Sequence, residues 1–178
     1  MFNYISTNGG ELVENKETDL AYDLRAVGYQ KVIDGKLQDE VTWMKQGDSV
    51  KLHFNETILI KSGIQLQFPK PEEVKEKGKV IGKTLYGASV LGRSGLNLKG
   101  DLLVKTGTID NEYEGDIGAV ITNMRNGVNI INFGDRIAQL KIEKVFKPVK
   151  EMFIKVDSFK TNSDNKRGIT GFGNTGVK

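Results

Sequence analysis

Apolar residues in this chain recur at every second position in short runs. Val50-Leu52-Phe54, Ile58-Ile60, Ile64-Leu66-Phe68, Leu102-Val104, Ile117-Ala119-Ile121, Val128-Ile130 and Ile137-Leu140-Ile142 carry the pattern. Gly, Asn and Asp stand between the runs. Period-2 alternation buries one face of a strand, and that punctuation closes turns. No segment holds a helical stripe of any length. The best helical candidate, PEEVKEKGK from Pro71 to Lys79, is nearly all charged and contains Gly78. It reads as a solvated loop with at most a turn of helix. The pattern predicts an all-β sandwich or jelly roll.

Composition narrows the chemistry. The chain has 178 residues, no cysteine, one histidine (His53) and a net charge of +3. Disulfides, thiolate metal sites and cysteine nucleophiles are excluded. A lone histidine in an alternating strand fits an edge or surface better than a zinc site or a Ser-His pair. Lys and Asp/Glu are interspersed, so no nucleic-acid partner is expected. The N-terminal MFNYISTNGG lacks a basic segment followed by an apolar one, and no apolar run reaches membrane-spanning length. No membrane partner is expected, and the expected compartment is the cytoplasm.

Five stretches carry residue types suited to chemistry. Thr18 to Ala26, TDLAYDLRA, brackets an apolar patch with Asp19 and Asp23 and reads as a loop entering a strand. Gly92 to Leu96, GRSGL, offers a planar guanidinium, a hydroxyl and an approachable backbone N–H, a set suited to phosphate. Gly107 to Gly115, GTIDNEYEG, reads as a hairpin. There Asp110, as a buried carboxylate beside a cavity, is expected to orient and deprotonate a water, and the Tyr113 ring to pack on a sugar face. Gly134 to Leu140, GDRIAQL, reads as a turn, fixed by an Asp–Arg pair, leading into a strand that carries Gln139 as a ligand contact.

The fifth stretch is RGITGFGNTG, Arg167 to Gly176. Gly171 to Gly176 also spells G-x-G-x-x-G, but that fingerprint belongs between a strand and a helix, and no helix is expected before Lys178. A flap over a ligand explains the composition better. Arg167 supplies charge and Phe172 a ring to stack on a base. The glycines supply mobility and close backbone approach to phosphate. Thr161 to Lys166, TNSDNK, reads as the connector into this arm.

In this order the five stretches resemble the motifs of the homotrimeric dUTP pyrophosphatases, or dUTPases. The family patterns are roughly D-A-G-Y-D-L-x-A, P-R-S-G-L, G-x-I-D-x-x-Y-x-G, G-D-R-I-A-Q-L and R-G-x-x-G-F-G-S-T-G. Here they read DLAYDLRA, GRSGL, GTIDNEYEG, GDRIAQL and RGITGFGNTG. Ile58 to Pro69 is also similar to the family's strand pair between the first two motifs. Leu20-Ala21 stands where the family has Ala-Gly, Gly92 where it has Pro, and Asn174 where it has Ser. The segments Gly28 to Asp48 and Pro69 to Thr84 are longer than in compact members and are expected to be surface elaborations.

The resemblance implies a jelly-roll-like sandwich or distorted barrel, the family's β-clip. It divides the chain into a β domain over 1–160 and a Gly-rich arm over 161–178 that is exchanged between subunits. It implies hydrolysis of dUTP to dUMP and pyrophosphate with Mg²⁺, which limits uracil in DNA and supplies dUMP. Asp110 holds the attacking water. Tyr113 lies under the deoxyribose and excludes a 2′-hydroxyl. Backbone groups around Val104, Gly107, Thr108, Ile109 and Gly118 read uracil. Arg93, Ser94 and Gly95 hold phosphates, Gln139 lies near the α-phosphate, and Asp23 reaches the metal through water. Arg167, Phe172, Gly173, Asn174 and Thr175 close the site, with Phe172 on uracil and Arg167, Asn174 and Thr175 on the γ-phosphate. The implied partners are dUTP and two further copies of the chain.

Two rivals share the fold. A dCTP deaminase needs a glutamate five residues past the third motif's last glycine, Gly115; that position is Val120. A non-enzymatic module that binds a regulatory protein is the other, and such a protein partner is compatible with catalysis.

Overall fold

The computed structural model describes residues 1–14 and 16–156, and the side chain of Asn97 is outside that description. Fifteen strands follow the alternating runs and the turns between them. They are β1 Asn3–Ser6, β2 Tyr22–Arg25, β3 Gly28–Ile33, β4 Lys36–Leu37, β5 Thr42–Trp43, β6 Ser49–His53, β7 Thr57–Lys61 and β8 Ile64–Gln67. After these come β9 Glu72–Glu76, β10 Lys79–Leu91, β11 Leu102–Lys105, β12 Gly107–Ile109, β13 Gly118–Asn123, β14 Val128–Asn132 and β15 Arg136–Pro148. One short helix, α1 Ser94–Lys99, interrupts them. Six residues are too few to print a helical stripe in sequence.

Two larger sheets face each other and are open rather than closed into a barrel. One runs β12-β10-β15-β2, with β9 also on β10. The other runs β11-β13-β7-β3-β4, with β5 also on β3. Their inner faces supply much of the core, including Leu24, Ile58, Ile60, Ala119, Ile121, Ala138 and Leu140, and Ile64 of the β1–β8 pair adds to it. The apolar run at 137–142 skips a residue because the β2–β15 pairing shifts between Arg136 and Ala138. A bulge of that kind turns two successive side chains inward; Ile137 and Ala138 are both buried.

Three expectations need correction. Val128 and Ile130 do not face the core: they are 42% and 55% exposed, while Ile131 is buried. Alternation fixes a period but not its phase, and β14 pairs these residues with the exposed His53 and Lys51 of β6. The charged stretch after Pro71 is a β-hairpin rather than a loop with a helical turn. Lys77 and Gly78 both take positive φ, 48° and 79°, the mirror-image turn whose twist suits paired strands. The segment Gly28 to Asp48 is not purely surface, because β3 pairs with β7 inside its sheet and Gln30 and Met44 are buried.

Candidate active site

Strand pairing places Asp23 of β2 opposite Gln139 of β15. The Asp23 side chain is fully buried. Its Oδ1 accepts a 2.9 Å hydrogen bond from Arg93 Nε and a long 3.5 Å contact from Gln139 Nε2. Its Oδ2 accepts a 3.2 Å bond from Arg136 Nη1. Arg93 Nη1 also donates to the Arg136 carbonyl oxygen at 3.1 Å. Arg93 follows the end of β10, and Ser94 and Gly95 begin α1 beside it, both exposed. A buried carboxylate is tolerable only with such charged donors around it. The first, second and fourth motifs therefore meet at one carboxylate. Arg136, read in the sequence as a partner of Asp135, reaches across to β2; Asp135 instead accepts from Asn132 N at 2.8 Å.

The third motif is not a simple hairpin. β11 pairs with β13, but β12 crosses to the opposite sheet and pairs with β10, with Ile109 opposite Ala88 and Gly107 opposite Val90. The two arms of the motif thus part between the sheets. Gly107 and Ile109 lie on one arm with the exposed Thr108, Gly118 on the other, and Val104 is buried in β11. Asp110 is not the buried carboxylate expected from the sequence: it is exposed just past β12, in a turn closed by Tyr113 N donating to Asp110 O at 3.1 Å. Asp110 lines a cavity of about 570 Å³ with Lys83 and Lys147.

The Tyr113 hydroxyl donates to the Asp116 carbonyl oxygen at 3.0 Å. A Cβ at Gly115 would lie 2.5 Å from that hydroxyl oxygen, so a larger residue there displaces the ring from this position. Burial, then the nearby Asp116 charge, raises the Tyr113 pKa above its ordinary value and keeps the phenol neutral. Burial also raises the Asp116 carboxyl, against an opposing pull from Lys61 and the backbone of Gly63 and Ser62. Lys61 Nζ is 3.6 Å from Asp116 Oδ1. The sequence reading missed Asp116, whose partner on β7 lies far away along the chain.

One chain brings Asp23, Arg93 and Gln139 together. It does not place Asp110 with them: β12 runs from Gly107 opposite Val90 to Ile109 opposite Ala88, away from the Arg93 end of β10, and β10 and β15 stand between β12 and β2. Arg167, Phe172, Gly173, Asn174 and Thr175 lie outside the described residues.

Comparison with known proteins agrees with this geometry. A family model described as dUTPase matches residues 78–176, more than half of the chain. The chain belongs to the dUTPase family. The deoxyuridine 5′-triphosphate nucleotidohydrolase of vaccinia virus (strain Copenhagen) is 37% identical over 120 residues, covering 67% of each chain. The dUTPase of Staphylococcus bacteriophage 80alpha, a point mutant solved with dUpNHpp, superimposes with a TM-score of 0.68 over 99% of both chains at 23% identity. A point-mutant dUTPase from phage phi11 of S. aureus gives a TM-score of 0.62 over 90% of this chain and 99% of its own, at 21% identity. The fold of this dUTPase is thus the jelly-roll-like β-clip, and its activity is the hydrolysis of dUTP. Val120, where a deaminase would carry glutamate, sits mid-strand in β13. No helix among the described residues is long and apolar enough to cross a membrane.

Proposed function

We propose that dUTP hydrolysis takes place between subunits of a trimer, with Asp110 of one chain working against the Asp23–Arg93–Gln139 cluster of another. The observation that carries this reading is the separation of the two groups within a chain, with Asp110 exposed past β12 and Arg93 partly exposed past the end of β10. The Arg93 side chain is 25% exposed while it holds Asp23. A triphosphate oxygen competes for the same planar fork of donors. Arg93, with Ser94 and Gly95 beside it, grips the phosphates, and Gln139 lies near the innermost one.

Asp110 accepts a proton from a water whose oxygen bonds to the α-phosphorus. The bridging α–β P–O bond breaks, and pyrophosphate leaves with the electron pair. Tyr113 supplies a neutral ring beneath the deoxyribose. The arms around Val104, Gly107, Thr108, Ile109 and Gly118 present backbone donors and acceptors to uracil. We assign residues 1–160 to the β domain and 161–178 to an arm that closes a neighbour's site through Arg167, Phe172, Gly173, Asn174 and Thr175.

The phi11 relative is described with a structural Mg(II) ion. Among the described residues of this chain, no three His, Cys, Asp or Glu side chains gather into a metal site. Asp23 is engaged by Arg93 and Arg136. That donor set does not suit a protein cage; Mg²⁺ would be chelated by the substrate phosphates, and the fully buried Asp23 would reach it through water only where an arginine releases one of its oxygens to the phosphates. When bound, the ion neutralises charge on the triphosphate.

Subunit mixing tests the shared site. Asp110→Asn and Arg93→Ala chains, each inactive alone, are unfolded together and reassembled. Recovered pyrophosphate release is expected, because some sites then draw both intact residues from different chains. A mixture as inactive as its parents would contradict the reading.

A further inference from the structure

Both β9 and β12 pair with the same edge of β10, and they leave a seam. Pairing with β9 ends where Thr84 meets Glu72, and pairing with β12 begins where Ala88 meets Ile109. Between them, neither strand pairs with β10 at Leu85, Tyr86 or Gly87 on that edge. The side chain of Asn111 enters this seam. Its amide nitrogen donates to the Tyr86 carbonyl oxygen at 2.9 Å and to the Pro69 carbonyl oxygen at 3.1 Å. Both partners are acceptors, so only the NH₂ end of the carboxamide can serve them, and this fixes its orientation. Pro69 precedes the charged hairpin β9–β10, and Tyr86 lies on its returning strand. One amide therefore ties together both feet of that hairpin.

Asn111 is also the residue after Asp110. We infer that Asn111 is a positioning residue: it clamps the turn carrying the catalytic carboxylate to the feet of the β9–β10 hairpin, so that Asp110 is held by the hairpin as well as by its own strand. The inference rests on Asp110 as the water-orienting group and adds the part that holds it still. Two bonds fix the Asn111 side chain, and a third, from Tyr113 N to Asp110 O at 3.1 Å, closes the turn behind it. A carboxylate displaced by a fraction of an ångström loses alignment with the attacked phosphorus, and misplacement of about 1 Å costs on the order of a hundredfold.

The test compares Asn111→Asp and Asn111→Ala in two backgrounds, wild type and Asp110→Asn, by steady-state hydrolysis of dUTP and by thermal melting. Asn111→Asp keeps the shape and loses both donors, so it tests the clamp even where the alanine chain folds poorly. In the wild-type background kcat should fall about tenfold to a hundredfold, and by more than KM rises, because the phosphates are gripped away from this turn at Arg93, Ser94 and Gly95. In the Asp110→Asn background the residual rate should stay unchanged, since there is no carboxylate left to position. Asn111 variants with full kcat, or an equal loss in both backgrounds, would overturn the inference. An Asp110→Asn chain that keeps the wild-type rate would instead overturn the assignment of Asp110.

Discussion

Arg93 Nε lies 2.9 Å from Asp23 Oδ1, and that carboxylate is completely shielded from water. The pair joins the end of β10 to β2, across a separation of 70 residues in the chain. Removing the charge from one member leaves the guanidinium groups of Arg93 and Arg136 without their shared buried acceptor. Asp23→Asn should destabilise the fold by about 1.5–3 kcal/mol, as expected for lost hydrogen bonds to a charged group whose arginine partners stay partly in water. Urea unfolding measures this, and a loss below about 1 kcal/mol would show that the carboxylate is not what organises the cluster.

Asp116 gives the fold a pH dependence with a definite sign. Burial raises its carboxyl above the ordinary carboxylate value. The folded chain then holds the proton more tightly than the unfolded one. The contribution to stability is fully present below the ordinary carboxyl range and is lost as pH rises through the raised value. Asp116→Asn removes that loss, so its melting temperature should fall less steeply from acid toward neutral pH than that of the wild type. Thermal melts across this range decide it; parallel curves would contradict the assignment.

Much of this was legible in the sequence, and the gaps have physical causes. β7, β8 and β13 follow directly from Ile58-Ile60, Ile64-Leu66 and Ala119-Ile121, because one face of each strand must be dry. Val128 and Ile130 misled, since alternation does not say which phase faces inward. β9 was hidden because its alternating charges serve an exposed strand as well as a loop; only the Lys77-Gly78 turn marks it. Residue type and motif order single out Asp110, Arg93 and Gln139; of these, Arg93 and Gln139 meet at Asp23. The Arg136–Asp23 bond joins residues 113 positions apart, and neither sequence neighbourhood signals the other. The Asn111 clamp depends on a seam that exists only once β9 and β12 share an edge.

Gly115 and Tyr113 make a paired prediction about sugar selectivity. A methyl at position 115 collides with the ring, its Cβ falling 2.6 Å from Tyr113 Cζ. Gly115→Ala should therefore displace the platform and reduce the kcat/KM preference for dUTP over UTP by about tenfold or more. Tyr113→Phe loses only the hydroxyl bond to the Asp116 carbonyl and should keep most of the preference. Equal selectivity in Gly115→Ala and wild type would mean the ring does not face the sugar.

Ile121 is fully buried at the centre of β13, between β7 and β11. Ile121→Ala removes packed methyl groups and leaves a cavity, so it should cost about 2–5 kcal/mol. The cost should appear in denaturant unfolding while KM for dUTP stays near the wild-type value. A KM rise with unchanged stability would mean that β13 positions substrate rather than core.

The most direct measurement is pyrophosphate release from dUTP, dTTP, dCTP and UTP with Mg²⁺, for wild type and for Asp110→Asn. The wild type should be selective for dUTP, and the variant should retain its melting temperature and lose about a hundredfold to ten-thousandfold in rate, as when a general base is removed. Full turnover by a folded Asp110→Asn protein would contradict the account at its centre.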